Sequence, residues 1–464
     1  MIPIFLSKIK DILQADTSFE LKEVAQDILI ENISTDSRKS CINGLFFALK
    51  GENFDGHNYL AKAMEQGCVA MVVDHPCDIE IPQLIVSDTA LALAQLATWL
   101  KQKINPKTVA ITGSSGKTTV KEMTATILQQ YAKPEEVLWT QGNFNNELGV
   151  PLTLLALTEQ HKFAVVELGA NHQGEIAYTT NLVKPDVALV NNFASAHLEG
   201  FGSLEGVAQA KGEIFQGLKE NGIALLNLES NDYSHWKNTI ANKKTEYFSI
   251  GNSQADFYAS NIKIQELGSQ FTLHSPLGNI DINLPYLGLH NISNALAATA
   301  LAVSVGATLA NVKAGLEQPH QVKGRLFSIK PCDNLLLLDD TYNANVDSLK
   351  SAIDVLKNID AFRILVVGDM AELGDETKDC HQQVADYAQD AQLDLVVSFG
   401  PESRVIAEKC SGQAYLEKEK LNAILMTIIK NKLSENQNIA LLAKGSRRMK
   451  MEDVIEKLKG SFEC

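Results

Sequence analysis

Residues 108–119, TVAITGSSGKTT, set the tightest limit on how this chain folds. An apolar, β-branched run passes without a break into a glycine-flanked turn, and KTTVKEMTATILQQY follows with helical character. A buried strand, a tight turn and a helix in that order form the context that a phosphate-binding loop requires. Gly113 and Gly116 reach backbone angles denied to other residues. Gly113, Ser114, Ser115, Gly116, Lys117, Thr118 and Thr119 are therefore expected to wrap the phosphates of ATP with main-chain N–H groups. The start of the helix adds roughly half a positive charge. Lys117 supplies a point charge for the outer phosphates, and the Thr118 hydroxyl a ligand for Mg2+. The spacing departs from the standard P-loop, because only Ser114 and Ser115 separate the glycines. The shorter form belongs to a narrower set of ATPases.

The strand–turn–helix rhythm extends on both sides. FAVVELG (163–169), DVALVNN (186–192) and IALLNL (223–228) are apolar runs of the length that suits parallel strands buried on both faces. Residues 84–315 are predicted as a central, doubly wound ATP-binding domain, with an antiparallel extension over 255–285. LLLLDD (335–340), FRILVVGDM (362–370), LDLVVSFG (393–400) and NIALLAKGS (438–446) begin a second α/β series, predicted as a C-terminal Rossmann-like domain over 316–464. Residues 1–83 read as a small mixed α/β domain. LFFAL (45–49) and VAMVV (69–73) are its strands, and Phe5, Ile9 and Ile12 the apolar stripe of its first helix.

Composition excludes several classes. With 41 basic against 56 acidic residues the net charge is −15, so the basic stripe of a nucleic-acid surface is not expected. The seven cysteines are scattered and never form C-x-x-C, which argues against a disulfide framework or cysteine-based zinc site and for a reducing cytoplasm. SNALAATALAVSVGATLA (293–310) carries polar residues among its alanines and reads as a buried helix rather than a membrane span. The N-terminus lacks the apolar core of a signal peptide. A soluble protein that is not membrane-inserted, and a monomer, is expected.

Further segments recur in order: GNFNNELGVPLTLL (142–155), VVELGANHQGEI (165–176), NNFASAHLEGFGS (191–203), AKGEIF (210–215), GLHNISNALAA (288–298), GRL (324–326), DDTYNANVDSLKSAI (339–353), GDMAELG (368–374) and KGSRRMKMEDV (444–454). With the short loop they resemble the Mur ligases, ATP-dependent amide-bond-forming enzymes of peptidoglycan synthesis, over essentially the whole chain. Within that family, DDTYNAN, GDMAELG and KGSRRMKME point to the addition of D-alanyl-D-alanine to UDP-N-acetylmuramoyl tripeptide. The D-N-P-R motif of the ligase that adds the third amino acid is absent. The resemblance implies that the γ-phosphoryl passes to the tripeptide carboxylate and that the amine of D-Ala-D-Ala then displaces phosphate from the acyl phosphate.

The resemblance also assigns residues. Glu167 closes FAVVE at the carboxyl edge, where open α/β sheets bind ligands, and suits Mg2+. His197 follows the next strand; by residue type alone it is equally a loop histidine, and the resemblance makes it a ligand to a second metal. Lys211 reads in isolation as a helix-surface residue, whereas the family has a carbamylated lysine there, a modification that needs a lysine able to lose its charge. With Lys117, these three are the expected catalytic group. Asn291 and Asn294 share a helix face and are expected to address adenine and ribose, capping being the other reading of Asn291. Arg325 and Asp340 are implied at the phosphates and the ribose. For the UDP end of the substrate the candidates are Ser37, Arg38, Asp55, Gly56 and His57, although turn chemistry alone explains Asp55–Gly56. Asn143, Asn145 and Asn146 are expected to face the UDP-muramoyl substrate, and Asn343, Asn345 and Arg447 the D-Ala-D-Ala. Two other readings stand: a folylpolyglutamate-type ligase sharing the central ATPase, and a nucleotide-binding regulatory protein without catalysis. Lys117, Glu167, His197 and Lys211 occurring together argue against the second.

Overall fold

The structure, a computed structural model, describes residues 1–17, 27–51, 53–194, 198–230, 233–265, 267–319 and 322–463. Three main sheets organise it. In the central one, Val137–Trp139, Phe163–Glu167, Lys107–Thr112, Val187–Val190, Ile223–Asn227 and Lys244–Ser249 lie side by side in that order, all parallel. Phe257–Gln265 continues the sheet, and Gly268–Ser275 and Gly278–Leu284 add antiparallel strands, the extension expected for 255–285. The inner strands Phe163–Glu167, Val187–Val190 and Ile223–Asn227 are almost wholly buried and largely apolar because helices cover both faces.

The order of these strands positions the site. Lys107–Thr112 is flanked on one side by Phe163–Glu167 and on the other by Val187–Val190. Successive connections thus leave it in opposite directions, and a crevice opens beyond its carboxyl end. Ile111 is in register with Glu167 and with Leu189. The loop that starts at Gly113 therefore emerges beside the Glu167 carboxylate and beside Asn191 and Asn192.

The C-terminal sheet runs Phe327–Cys332, Leu335–Asp339, Ile439–Lys444, Phe362–Gly368, Leu395–Phe399 and Gln413–Tyr415, parallel except for its first pair. A smaller five-stranded sheet lies near the N-terminus, built around Gly44–Phe47 and Cys68–Val73. The helix Thr89–Ile104 joins that sheet to the central one, since its Leu93, Leu96 and Leu100 share one apolar core with Leu45, Phe47, Val166 and Leu168. The helix Leu289–Ser304 is buried along most of its length and packs on Lys117–Tyr131, its alanines allowing close approach. No helix among the described residues is long and apolar enough to cross a membrane.

One expectation is corrected. The first helix, Leu6–Leu13, buries Leu6, Ile9 and Leu13 rather than the stripe from Phe5 to Ile12. Phe5 is still extended at φ −67° and ψ 141°, pairs with Leu29 as a strand residue and is 52% exposed. The true stripe is therefore rotated by about one residue.

Candidate active site

The phosphate loop is held in place by two asparagines at the end of the neighbouring strand. Ser114 N–H donates to Asn192 O at 3.0 Å and Ser115 N–H to Asn192 Oδ1 at 2.9 Å. Asn192 Nδ2 and Asn191 Nδ2 both donate back to Ser115 O, at 3.2 and 3.1 Å. The first half of the loop is thus committed internally, and the N–H groups opening the helix Lys117–Tyr131 remain for an anion. Gly116 has φ 77°, and a Cβ there would lie 2.5 Å from both Asn191 Nδ2 and Asn294 Oδ1. Only glycine fits. Lys117 Nζ donates to Gly113 O at 2.6 Å, folded back over the loop. Desolvation in the cleft pushes its pKa down, the Glu167 charge opposes this, and Arg325 reinforces it.

Behind the loop, amides form a relay. Asn191 Nδ2 donates to Asn294 Oδ1, Asn294 Nδ2 to Asn291 Oδ1, and Asn291 Nδ2 to Leu287 O, at 3.1, 2.9 and 2.8 Å. Asn291 thus closes a main-chain carbonyl at the helix start while its amide oxygen supports Asn294. Both residues line a cavity of about 130 Å3 whose opposite wall is Arg325, Asp340 and Lys444 from the C-terminal part of the chain. The Asp340 carboxylate is already engaged, with Lys444 Nζ at 2.7 Å and the Leu326 N–H at 3.2 Å. The Arg325 guanidinium lies 4.2 Å from the centre of the Tyr342 ring. His290 also lines this cavity, and burial depresses its pKa, against an opposing pull from the Asp340 charge.

Ser115, Gly116, Arg325 and Ser348 are shared with a second cavity of about 440 Å3, within the size range of ligand pockets. Lys117, Glu167, Asn145, Asn146, Asn343 and Asn345 line it. Glu167 is 2% exposed; Asn145 Nδ2 donates to its Oε1 at 2.8 Å, while its Oε2 is buried without a partner among the described residues. A buried carboxylate oxygen left unsatisfied beside a phosphate loop is the chemistry of a cation ligand. Lys211, 1% exposed on the helix Leu204–Gly212, has its Nζ 5.1 Å from the centre of the Phe201 ring, with no carboxylate in ion-pair range among the described residues. Desolvation first, then the charge of Lys117, lowers its pKa to about 7, against weaker opposing pulls from Glu175 and Glu213.

The other candidates have local partners or lie outside the two cavities. Asn146 caps Gly149 N–H at 2.8 Å, and Asn345 caps the helix Val346–Lys357 by accepting from Ser348 N–H at 2.9 Å, so each has a local structural role while facing the larger cavity. Asn143 is exposed and outside both cavities. Arg447 pairs with Glu452 at 2.8 Å and lines neither cavity. In the N-terminal sheet, Ser37 is buried, and Arg38 points outward and pairs with Asp36 at 2.8 Å. Asp55 and His57 bond to each other, and a Cβ on Gly56 would come within 2.8 Å of the Leu49 backbone. His197 lies outside the described residues. Asn191, Asn192 and Lys444, which no motif assigns, also shape the site. The first two open NNFASAH and the third opens KGSRRMK, but nothing in the residue types separates a loop clamp from a polar turn.

The matches to known families cover the same ground. Residues 29–105 match the family model "Mur ligase family, catalytic domain", 111–302 "Mur ligase middle domain" and 324–447 "Mur ligase, glutamate ligase domain". This chain belongs to the Mur ligase family. Among Mur ligases it is 59% identical over 441 residues to the UDP-N-acetylmuramoyl-tripeptide–D-alanyl-D-alanine ligase of Haemophilus influenzae, covering 95% of this chain and 96% of that one. It is 49% identical to the enzyme of that name from Escherichia coli over the full length of both. A crystal structure of MurF from Acinetobacter baumannii superposes with a TM-score of 0.92 at 36% identity, covering 99% of each chain. MurF ligase from Thermotoga maritima in complex with ADP gives 0.83 at 28% identity, covering 93% of this chain and 98% of that one. Folylpolyglutamate synthase from Mycobacterium tuberculosis, at 15% identity and TM-score 0.63, shares the fold alone.

Proposed function

We propose that this chain is the ATP-dependent ligase that joins D-alanyl-D-alanine to the carboxylate of UDP-N-acetylmuramoyl tripeptide in peptidoglycan synthesis, releasing ADP and phosphate. The observation that carries the reading is full-length identity to enzymes of that name, joined to a cleft in which the phosphate loop faces an unsatisfied buried carboxylate and a buried lysine of low pKa.

The chain's own groups divide the work. The loop and the Lys117 ammonium hold the β- and γ-phosphates, and Arg325 approaches them from the other side of the cleft. Transfer of the γ-phosphoryl to the tripeptide carboxylate depends on positioning and charge neutralisation. The resulting acyl phosphate takes the amine of D-Ala-D-Ala, and the tetrahedral intermediate collapses to amide and phosphate. Asn291 and Asn294 form the floor under the nucleoside. Asp340, tied to Lys444, faces the ribose. The larger cavity, with Asn145, Asn146, Asn343 and Asn345 on its wall, takes the reacting ends of the two peptides. Ser37, Arg38 and the Asp55–His57 turn belong to the domain that holds the UDP end, within boundaries near residues 83 and 315. Glu167 and Thr118 fit Mg2+, which when bound offsets the charge that builds on the transferred phosphoryl. His197 completes the ligand set on the family pattern. Glu167→Gln keeps the shape and removes the charge; the Mg2+ concentration giving half-maximal rate is expected to rise by about tenfold or more. An unchanged Mg2+ titration would remove Glu167 from that role.

Lys211 reacts as a neutral amine with carbon dioxide, giving a carbamate and releasing one proton, and so becomes an anion in place of a cation. Its low pKa and the absence of an ion-pairing carboxylate among the described residues support this.

The test of the overall reaction is phosphate release with ATP, UDP-N-acetylmuramoyl tripeptide and D-Ala-D-Ala, each omitted in turn. Release is expected to need all three for sustained turnover. Release that continues without either peptide substrate would overturn the ligase reading.

A further inference from the structure

The turn NFDGHNY faces neither cavity, yet with the end of the strand Cys68–Val73 it gathers the donors His57, Asp74 and His75, whose ligand atoms all lie within 4.8 Å of one another. His57 is the anchor. Its side chain is 6% exposed, its Nδ1 lies 2.7 Å from Asp55 Oδ1, and the same oxygen accepts its main-chain N–H at 3.0 Å. A carboxylate on Nδ1 keeps the proton there and leaves the lone pair on Nε2. Nε2 looks toward the following turn, 3.2 Å from Asp74 Oδ1, with a long bond of 3.2 Å from the Asp74 N–H. Asp74 Oδ1 also contacts His75 Nδ1. The His57 and His75 rings stack with centroids 4.7 Å apart.

We propose that His57, Asp74 and His75 form a binding site for a divalent transition metal of the zinc class, with Asp55 orienting His57 from behind. Two independent features point the same way. Three donors of the right types converge, and the deepest imidazole carries on its far nitrogen the carboxylate that metal-bound histidines characteristically have. Two imidazoles and one carboxylate favour Zn2+, Ni2+ or Cu2+ over Mg2+. The His75 side chain is 60% exposed, which provides the entry path and leaves room for water as the remaining ligand. Binding displaces the long Asp74 N–H bond from Nε2 and the contact between Asp74 and His75, any proton held there passing to solvent. The site lies apart from the residues assigned to ATP and Mg2+ and shares His57 and Asp55 with the turn assigned to the UDP-holding domain.

The full-length protein is stripped with chelator, returned to excess Mg2+ and ADP so that the nucleotide cleft is filled, and titrated with Co2+. One equivalent is expected to give the visible absorption of low-coordinate cobalt, bleached by Zn2+. His75→Ala changes an exposed side chain and is expected to weaken binding by about tenfold or more. Asp55→Asn touches only the far side of His57 and is expected to weaken it about 10–100-fold. No absorption at one equivalent, or absorption that both variants leave unchanged, would overturn the site.

Discussion

Lys117→Ala is expected to lower kcat/KM by about 10³-fold or more, the scale seen when a cation facing a transferring phosphoryl is removed. The side chain has no alternative duty of that size. Its single hydrogen bond among the described residues returns to Gly113 O in the same loop, and the loop itself is fixed by Asn191 and Asn192 rather than by the lysine. The fold and the loop conformation should therefore survive, and the thermal midpoint without nucleotide should stay close to that of the parent. Lys117→Arg is expected to recover little, because a guanidinium fork cannot occupy a point-charge site inside so short a turn. Steady-state phosphate release measures the effect. A variant within threefold of the parent rate would take the loop out of the mechanism.

The second large effect concerns Lys211. Lys211→Ala is expected to reduce kcat by roughly 10²-fold or more, as loss of one pre-placed electrostatic group does, and added formate or acetate should restore part of it by supplying the missing anion. The pH dependence follows from the pKa of about 7. Only the neutral amine takes up carbon dioxide, so carbamate occupancy is expected to be high above pH 7 and to fall as the pH drops through that value. The sign for stability agrees. The folded pKa is depressed from 10.5 to about 7, so the unmodified folded state binds fewer protons than the unfolded one between those values. Stability rises with pH across the window, and the burial penalty is complete below pH 7. Labelled carbon dioxide trapped on the protein reports occupancy directly. Full activity of Lys211→Ala without added carboxylate would exclude the carbamate.

Much of this was legible in the sequence because it rests on local chemistry. A buried strand entering a two-glycine turn and a helix admits few conformations, and the strand-end position of Glu167 follows from counting residues along an apolar run. What the sequence concealed depends on register and on neighbours distant in the chain. Asn191 and Asn192 clamp the loop because Val187–Val190 lies next to Lys107–Thr112, and no spacing rule reveals that adjacency. Lys444 meets Asp340 because Leu335–Asp339 and Ile439–Lys444 are paired strands about a hundred residues apart in sequence. The first helix was misaligned by one position because an extended Phe5 and a helical Phe5 have the same residue type. Arg447 pairs with Glu452 at the start of the last helix, a neighbour that its place in the KGSRRMK segment does not reveal.

In the proposed reaction the γ-phosphoryl of ATP passes to the tripeptide carboxylate before the amide forms. UDP-N-acetylmuramoyl tripeptide carrying 18O in its terminal carboxylate, turned over with ATP and D-Ala-D-Ala, tests it. The prediction is one 18O in each inorganic phosphate released, with the other retained in the new amide carbonyl. Phosphate free of label, with the pentapeptide still formed, would contradict the acyl-phosphate route.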